Sequence, residues 1–137
     1  QQIWNSNRKS RTSRRFNSGK FLIMNKIFSA CTLFAVAQTL VWFQLYSQYV
    51  WGWWENKAIH AALLFGIPAS LCFWYGTRLA VDATAEAWSA RLLGFGISYL
   101  TFPVLTWWLL NESMFTTKTM LCVLLSFMIV GIQLFWK

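Results

Sequence analysis

Four apolar stretches, each about as long as the 20 or so residues a helix needs to cross the hydrocarbon core, set the terms for this chain. They run over 27–46, 58–79, 88–110 and 119–136. A chain of 137 residues that is 57% hydrophobic and only 12% charged cannot hide so much apolar surface in one water-soluble core. In lipid each backbone polar group must be satisfied within its own segment, so the segments are read as α-helices. The connections between them are short, and short connections join antiparallel neighbours. The expected fold is therefore an all-α membrane protein: a four-helix up-down transmembrane bundle over residues 24–137, with both ends on one side.

The polar residues mark where the segments stop. Trp51, Trp53 and Trp54 cluster beside Glu55 and Lys57, and Trp107-Trp108 and Phe135-Trp136 close the last two apolar runs. Amphipathic rings settle at headgroup level, so these positions are read as bilayer boundaries. Asp82 and Thr84 are expected to cap the third helix with Glu86 in its first turn, and Thr116 or Thr117 to cap the fourth.

The net charge of +8 is concentrated at one end. Arg8, Lys9, Arg11, Arg14, Arg15 and Lys20 supply half of the twelve basic residues. Residues 1–23 are polar, basic and free of acidic side chains. With Met24-Asn25-Lys26 reading as a natural start, they are expected to be a disordered extension or sequence foreign to the protein. A basic run beside a membrane helix is read as sitting among anionic headgroups, and no nucleic-acid-binding module accompanies it. With the N-terminus inside, that side holds Lys26, Arg78, Arg91 and Lys137, against Lys57 and Lys118 opposite. This bias favours an N-in, C-in integral protein of a plasma or inner membrane. The bias is small enough that insertion in both orientations is also conceivable.

Inside the helices, a few residues stand out. Pro68 and Pro103 each remove a helical hydrogen bond and are expected to kink the second and third helices. Gly94-Phe95-Gly96 followed by Ser98 is read as a helix-contact site, because small residues let backbones approach closely. Gln38 is the deepest polar side chain of the first helix, and an amide in lipid must find a partner. Trp42, four residues on, shares its face, and Tyr46 extends the stripe. With Trp74 of the second helix these form a proposed lining for a small organic solute, since ring faces attract cations. Packing or lipid contact is the plainer use of such a stripe. Gln44 and Gln133 are read as interface amides, His60 as an interface residue, and Arg78 and Arg91 as topology determinants or members of a gating ion pair. Cys31, Cys72 and Cys122 lie in apolar runs with no metal-binding spacing, so neither metal nor cofactor is expected. No nucleophile–base arrangement or cavity-facing carboxylate pair points to an enzyme.

The layout resembles the drug/metabolite transporter superfamily, in particular its smallest four-helix members, the small multidrug resistance proteins. Met24-Asn25 leading to Ala37-Gln38, the Gly94-x-Gly96 pair, and the ending Leu109-Leu110-Asn111-Glu112-Ser113 before a last helix with Gly131 carry the resemblance. It implies a transporter, with Glu112 as a turn residue. Members of that family exchange protons at a glutamate in helix one. Here Gln38 stands near that place, and glutamine cannot titrate. Four helices are too few to enclose a substrate path, so transport would need a homodimer. The alternative is a non-transporting membrane subunit that assembles with a larger complex, favoured by the absence of any intramembrane charge.

Overall fold

The computed structural model describes the backbone of residues 2–113 and 115–135 and the side chains of 19–113, 115–125, 127 and 128. The described backbone contains helices and no strands. Helix α1 runs Gln2–Val50, α2 Ala58–Thr84, α3 Ala87–Leu110 and α4 Thr117–Phe135. Three of them, α1 from Gly19, α2 and α3, are long and apolar enough to cross a membrane. Trp136 and Lys137 lie outside the described residues.

The helix boundaries follow local chemistry. Nothing between residues 2 and 27 stops a helix, since the stretch has no proline and one glycine, and Arg, Lys and Ser tolerate helical geometry. Accordingly α1 starts at Gln2 rather than near 27, and the described backbone of 2–23 is helical. It ends at Val50, where Trp51 turns extended ahead of a single 3-10 turn, Gly52–Trp54. At the far end of α2, Ala85 adopts a left-handed conformation (φ 59°) and its N–H returns to the Val81 carbonyl at 2.8 Å.

Thr84 closes α2 instead of opening α3. Its hydroxyl donates to the Ala80 carbonyl at 2.9 Å. The first capping position of α3 falls to Glu86, whose carboxylate accepts from the Ser89 hydroxyl at 2.9 Å. Asp82, expected to cap α3, instead faces Lys26 at 3.8 Å. With only two residues between them, α2 and α3 must run antiparallel side by side. Thr116 caps α4 as expected, accepting from the Thr119 N–H at 3.4 Å.

Pro68 leaves its mark one turn upstream. The backbone widens to a π-helical turn over Ala62–Gly66. A proline ring presses on the carbonyl four residues before it, and a wider turn makes room for that ring. Pro103 lies inside α3, where it has no N–H to give to the preceding turn.

Packing centres on α1, which lies against both α2 and α3, while α2 and α3 also touch; α4 rests chiefly on α3. The close-packed unit is thus three helices with a fourth beside them. Its interior is built from small residues. Ala30 and Ala37 of α1, Ala69, Gly76 and Ala80 of α2 and Ala90 of α3 are buried. One large ring, Phe34, fills the space between Ala30, Ala80 and Ala90. Large apolar side chains such as Phe28, Ile59, Trp88 and Trp108 point outward. Small residues inside and large apolar ones outside is the arrangement of helices packed in lipid, where hydrophobic burial does not drive helices together and close contact does.

Candidate functional site

Three i, i+4 pairs converge where α1, α2 and α3 meet. Side chains four apart stack on one helix face. Phe34 and Gln38 come from α1, Phe73 and Thr77 from α2, and Arg91 and Phe95 from α3, where Ala90 and Gly94 form the floor. Together they line a half-open cavity of about 240 Å³. The Phe34 and Phe73 rings lie 6.1 Å apart. The Arg91 guanidinium sits over the Phe95 ring, 4.8 Å from its centroid. Gly94 keeps the floor low, since a Cβ there would reach ordinary contact distance of Phe34, 3.9 Å.

Of the four residues expected to line a site together, Gln38 alone reaches this cavity. Trp42 turns toward α3. It is 1% exposed, and its indole N–H donates to the Thr106 hydroxyl at 3.0 Å. Tyr46 stacks on Trp42 at 5.7 Å and meets the edge of Phe102 at 5.3 Å. Trp74 points away from the bundle beside Tyr75, with Arg78 over its ring at 5.8 Å. The α1 stripe therefore divides: its deep end opens onto the cavity, and its upper part forms an aromatic contact with α3.

The Trp42–Thr106 bond joins two helices where no water can replace it. Thr106→Val is expected to destabilise the protein by about 1 kcal/mol by leaving a buried N–H unpaired. Trp42→Phe combined with Thr106→Val should then cost less than the two single changes added together. Reversible unfolding in mixed micelles measures all three, and strict additivity would show that the bond contributes nothing.

The small residues read as one contact site part company. Gly94 faces Phe34, a Cβ on Gly96 would meet nothing within 4 Å, and Ser98 lines a second cavity. The close approaches occur on α2 instead. A Cβ at Gly66 would lie 3.0 Å from the Gln44 side-chain oxygen, and one at Gly76 would lie 3.1 Å from the Phe34 ring. Gln44 is thereby held against α2. The side chain of Gln133 lies outside the described residues.

The second cavity, about 390 Å³, opens between α3 and α4. Tyr99, Phe102 and Pro103 give it an apolar wall, and Ser98, Thr106, Thr119 and Glu112 give it polar points. At the opposite end of the bundle, Lys26 rather than either arginine makes the ion pair to Asp82, tying α1 to the end of α2. His60 is exposed at the start of α2, and Lys57 lies over the Trp53 ring at 4.5 Å in the tryptophan-rich turn.

Arg91 and Thr77 are the polar cavity residues that sequence reasoning missed, along with the Phe34 and Phe73 rings. A signal for Arg91 was present. It follows Ala90, and Ala90 with Gly94 marks the packed face of α3, so a residue beside that face borders the bundle interior.

Apolar helices of spanning length, a small-residue interior and an apolar exterior define an all-helical, multi-pass integral membrane protein. No protein-family model matches the chain, and no curated protein or solved structure matches it either.

Proposed function

We propose that this is a transporter-like membrane protein for a small organic solute, with α4 as a fourth span and two copies forming the working unit. The observation that carries this reading is Gln38. An uncharged amide among apolar helices opens onto a cavity shared by three of them, with Thr77 and Arg91 as polar companions. Membrane proteins keep polar groups at such positions mostly where a ligand or a partner uses them. The cavity is small for an organic solute, since sites for such molecules run to roughly 300 Å³ and above. A second copy would enlarge the enclosed space. The open surface at Gly96 supports that assembly, because a neighbouring helix can approach there without meeting a side chain of the same chain. The relation to the small multidrug resistance proteins, the plasma-membrane location and the orientation with both ends inside belong to the same proposal.

Single-molecule photobleaching of labelled protein at high dilution in bilayers should give two subunits per particle. Flux into proteoliposomes should then fall in a Gln38→Ala variant that still folds and pairs. A persistent monomer that co-purifies with another membrane protein would turn the reading toward an assembly subunit. Unchanged flux in the variant would remove Gln38 from the mechanism.

A further inference from the structure

We infer that the cavity between α1, α2 and α3 takes an anionic group, a carboxylate or a phosphate, with the apolar body of its bearer against Phe34, Phe73 and Phe95. The inference rests on the proposal that this cavity is a ligand site, and it reverses the charge that an aromatic lining alone would suggest.

Three rings around a hollow favour a cation when nothing else is charged nearby. Here the position over the Phe95 ring is already occupied by the Arg91 guanidinium. A second cation in the cavity would meet that charge at short range. Arg91 has no carboxylate within ion-pairing distance among the described residues. Neither carboxylate at this end of the bundle forms an ion pair with Arg91. Asp82 faces Lys26, and Glu86 accepts from the Ser89 hydroxyl. Arg91 therefore borders the cavity with no ion-pair partner among the described residues, and a charge at a membrane helix draws in a counter-charge. Guanidinium donors suit the two oxygens of a carboxylate or phosphate. The hydroxyl of Thr77 and the amide of Gln38, on the facing helices, can each donate a further hydrogen bond.

Two bearers have this chemistry: a lipid headgroup reached from the bilayer, and a small aromatic or aliphatic acid. Delipidated protein in detergent is titrated with benzoate, benzamide and benzylammonium, followed by ligand-observed NMR. The expected result is benzoate binding roughly tenfold tighter than the other two. Arg91→Gln should abolish that preference and Arg91→Lys should retain part of it, with circular dichroism and subunit number unchanged. If Gln38→Leu weakens all three probes alike and Arg91→Gln changes nothing, the cavity is a site but not an anion site. If no probe binds in a Gln38-dependent way, the ligand site itself is lost and the proposed function loses its support. Native mass spectrometry from phosphatidylglycerol nanodiscs separates the two bearers. A retained lipid that benzoate displaces and Arg91→Gln loses identifies a headgroup; benzoate binding with no retained lipid identifies a soluble acid.

Discussion

Replacing Phe34 with alanine is expected to cost more than truncating any other member of the buried cluster it forms with Ala30, Ala80 and Ala90. Phe34 is 2% exposed and is the one large ring of that cluster, the other buried ring, Trp42, serving the contact of α1 with α3. In a water-soluble core such a change costs about 3–5 kcal/mol, part transfer from water and part cavity. In a bilayer the transfer part shrinks, because the separated helices expose the ring to lipid and not to water. The cavity part remains. Removing a volume of about 100 Å³ at about 24 cal/mol per Å³ gives about 2 kcal/mol. The vacated space would join the Gln38 cavity, so neighbouring helices could not collapse into it without giving up their own contacts. Phe28, six residues earlier on α1, supplies the control. It is 75% exposed, and Phe28→Ala should change stability by only a few tenths of a kcal/mol. Reversible unfolding in mixed micelles, followed by circular dichroism, compares the two. Equal costs at 28 and 34 would mean that α1 does not present Phe34 to its neighbours.

That contrast also marks what the sequence could reveal. The positions of the helices were legible, because a run of apolar residues with aromatic ends is a property of composition. The Thr116 cap was legible too, because it is local, whereas the connection after α2 was not: a gap of about eight residues between 79 and 88 was expected, and the helix runs on to Thr84. Which face of each helix turns inward was not legible either. In water a large apolar residue is drawn inside, whereas in lipid the same residue is equally satisfied outside. Trp74 was placed in a lining on its type and its distance from Pro68, yet it faces outward beside Tyr75. Trp42 shares a face with Gln38 on α1, yet serves the contact with α3. The better guide was residue size: Ala69, Gly76 and Ala80 on α2 mark the seam, and Ala30 and Ala37 mark its partner on α1. Arg91 was read as a topology determinant because a basic residue near a helix end usually is one. Its place at the cavity follows from tertiary packing.

Gly76 should be the least tolerant small position of that seam. Gly76→Ala is a poor probe, because two effects oppose one another. Alanine gains up to about 1 kcal/mol of helix propensity over glycine. Against this, its Cβ would lie 3.1 and 3.2 Å from carbons of the Phe34 ring and 3.3 Å from the Leu33 Cβ, so the neighbours must yield. Valine removes the ambiguity. Its propensity gain is smaller, and its two further methyl groups enter a contact that is already full. Overpacking of this kind costs about 1–3 kcal/mol, and α1 and α2 would have to separate along the seam to relieve it. Gly76→Val is therefore expected to destabilise the protein by that amount and to disturb the Lys26–Asp82 pair that joins the same two helices. Gly96→Val is the matched comparison, since a side chain there meets nothing within 4 Å in its own chain. It should leave unfolding of the single chain almost unchanged. A fall in the paired fraction by photobleaching, with unfolding unaltered, would assign Gly96 to the contact between two copies. Equal destabilisation by both valines would show that the seam does not run through Gly76.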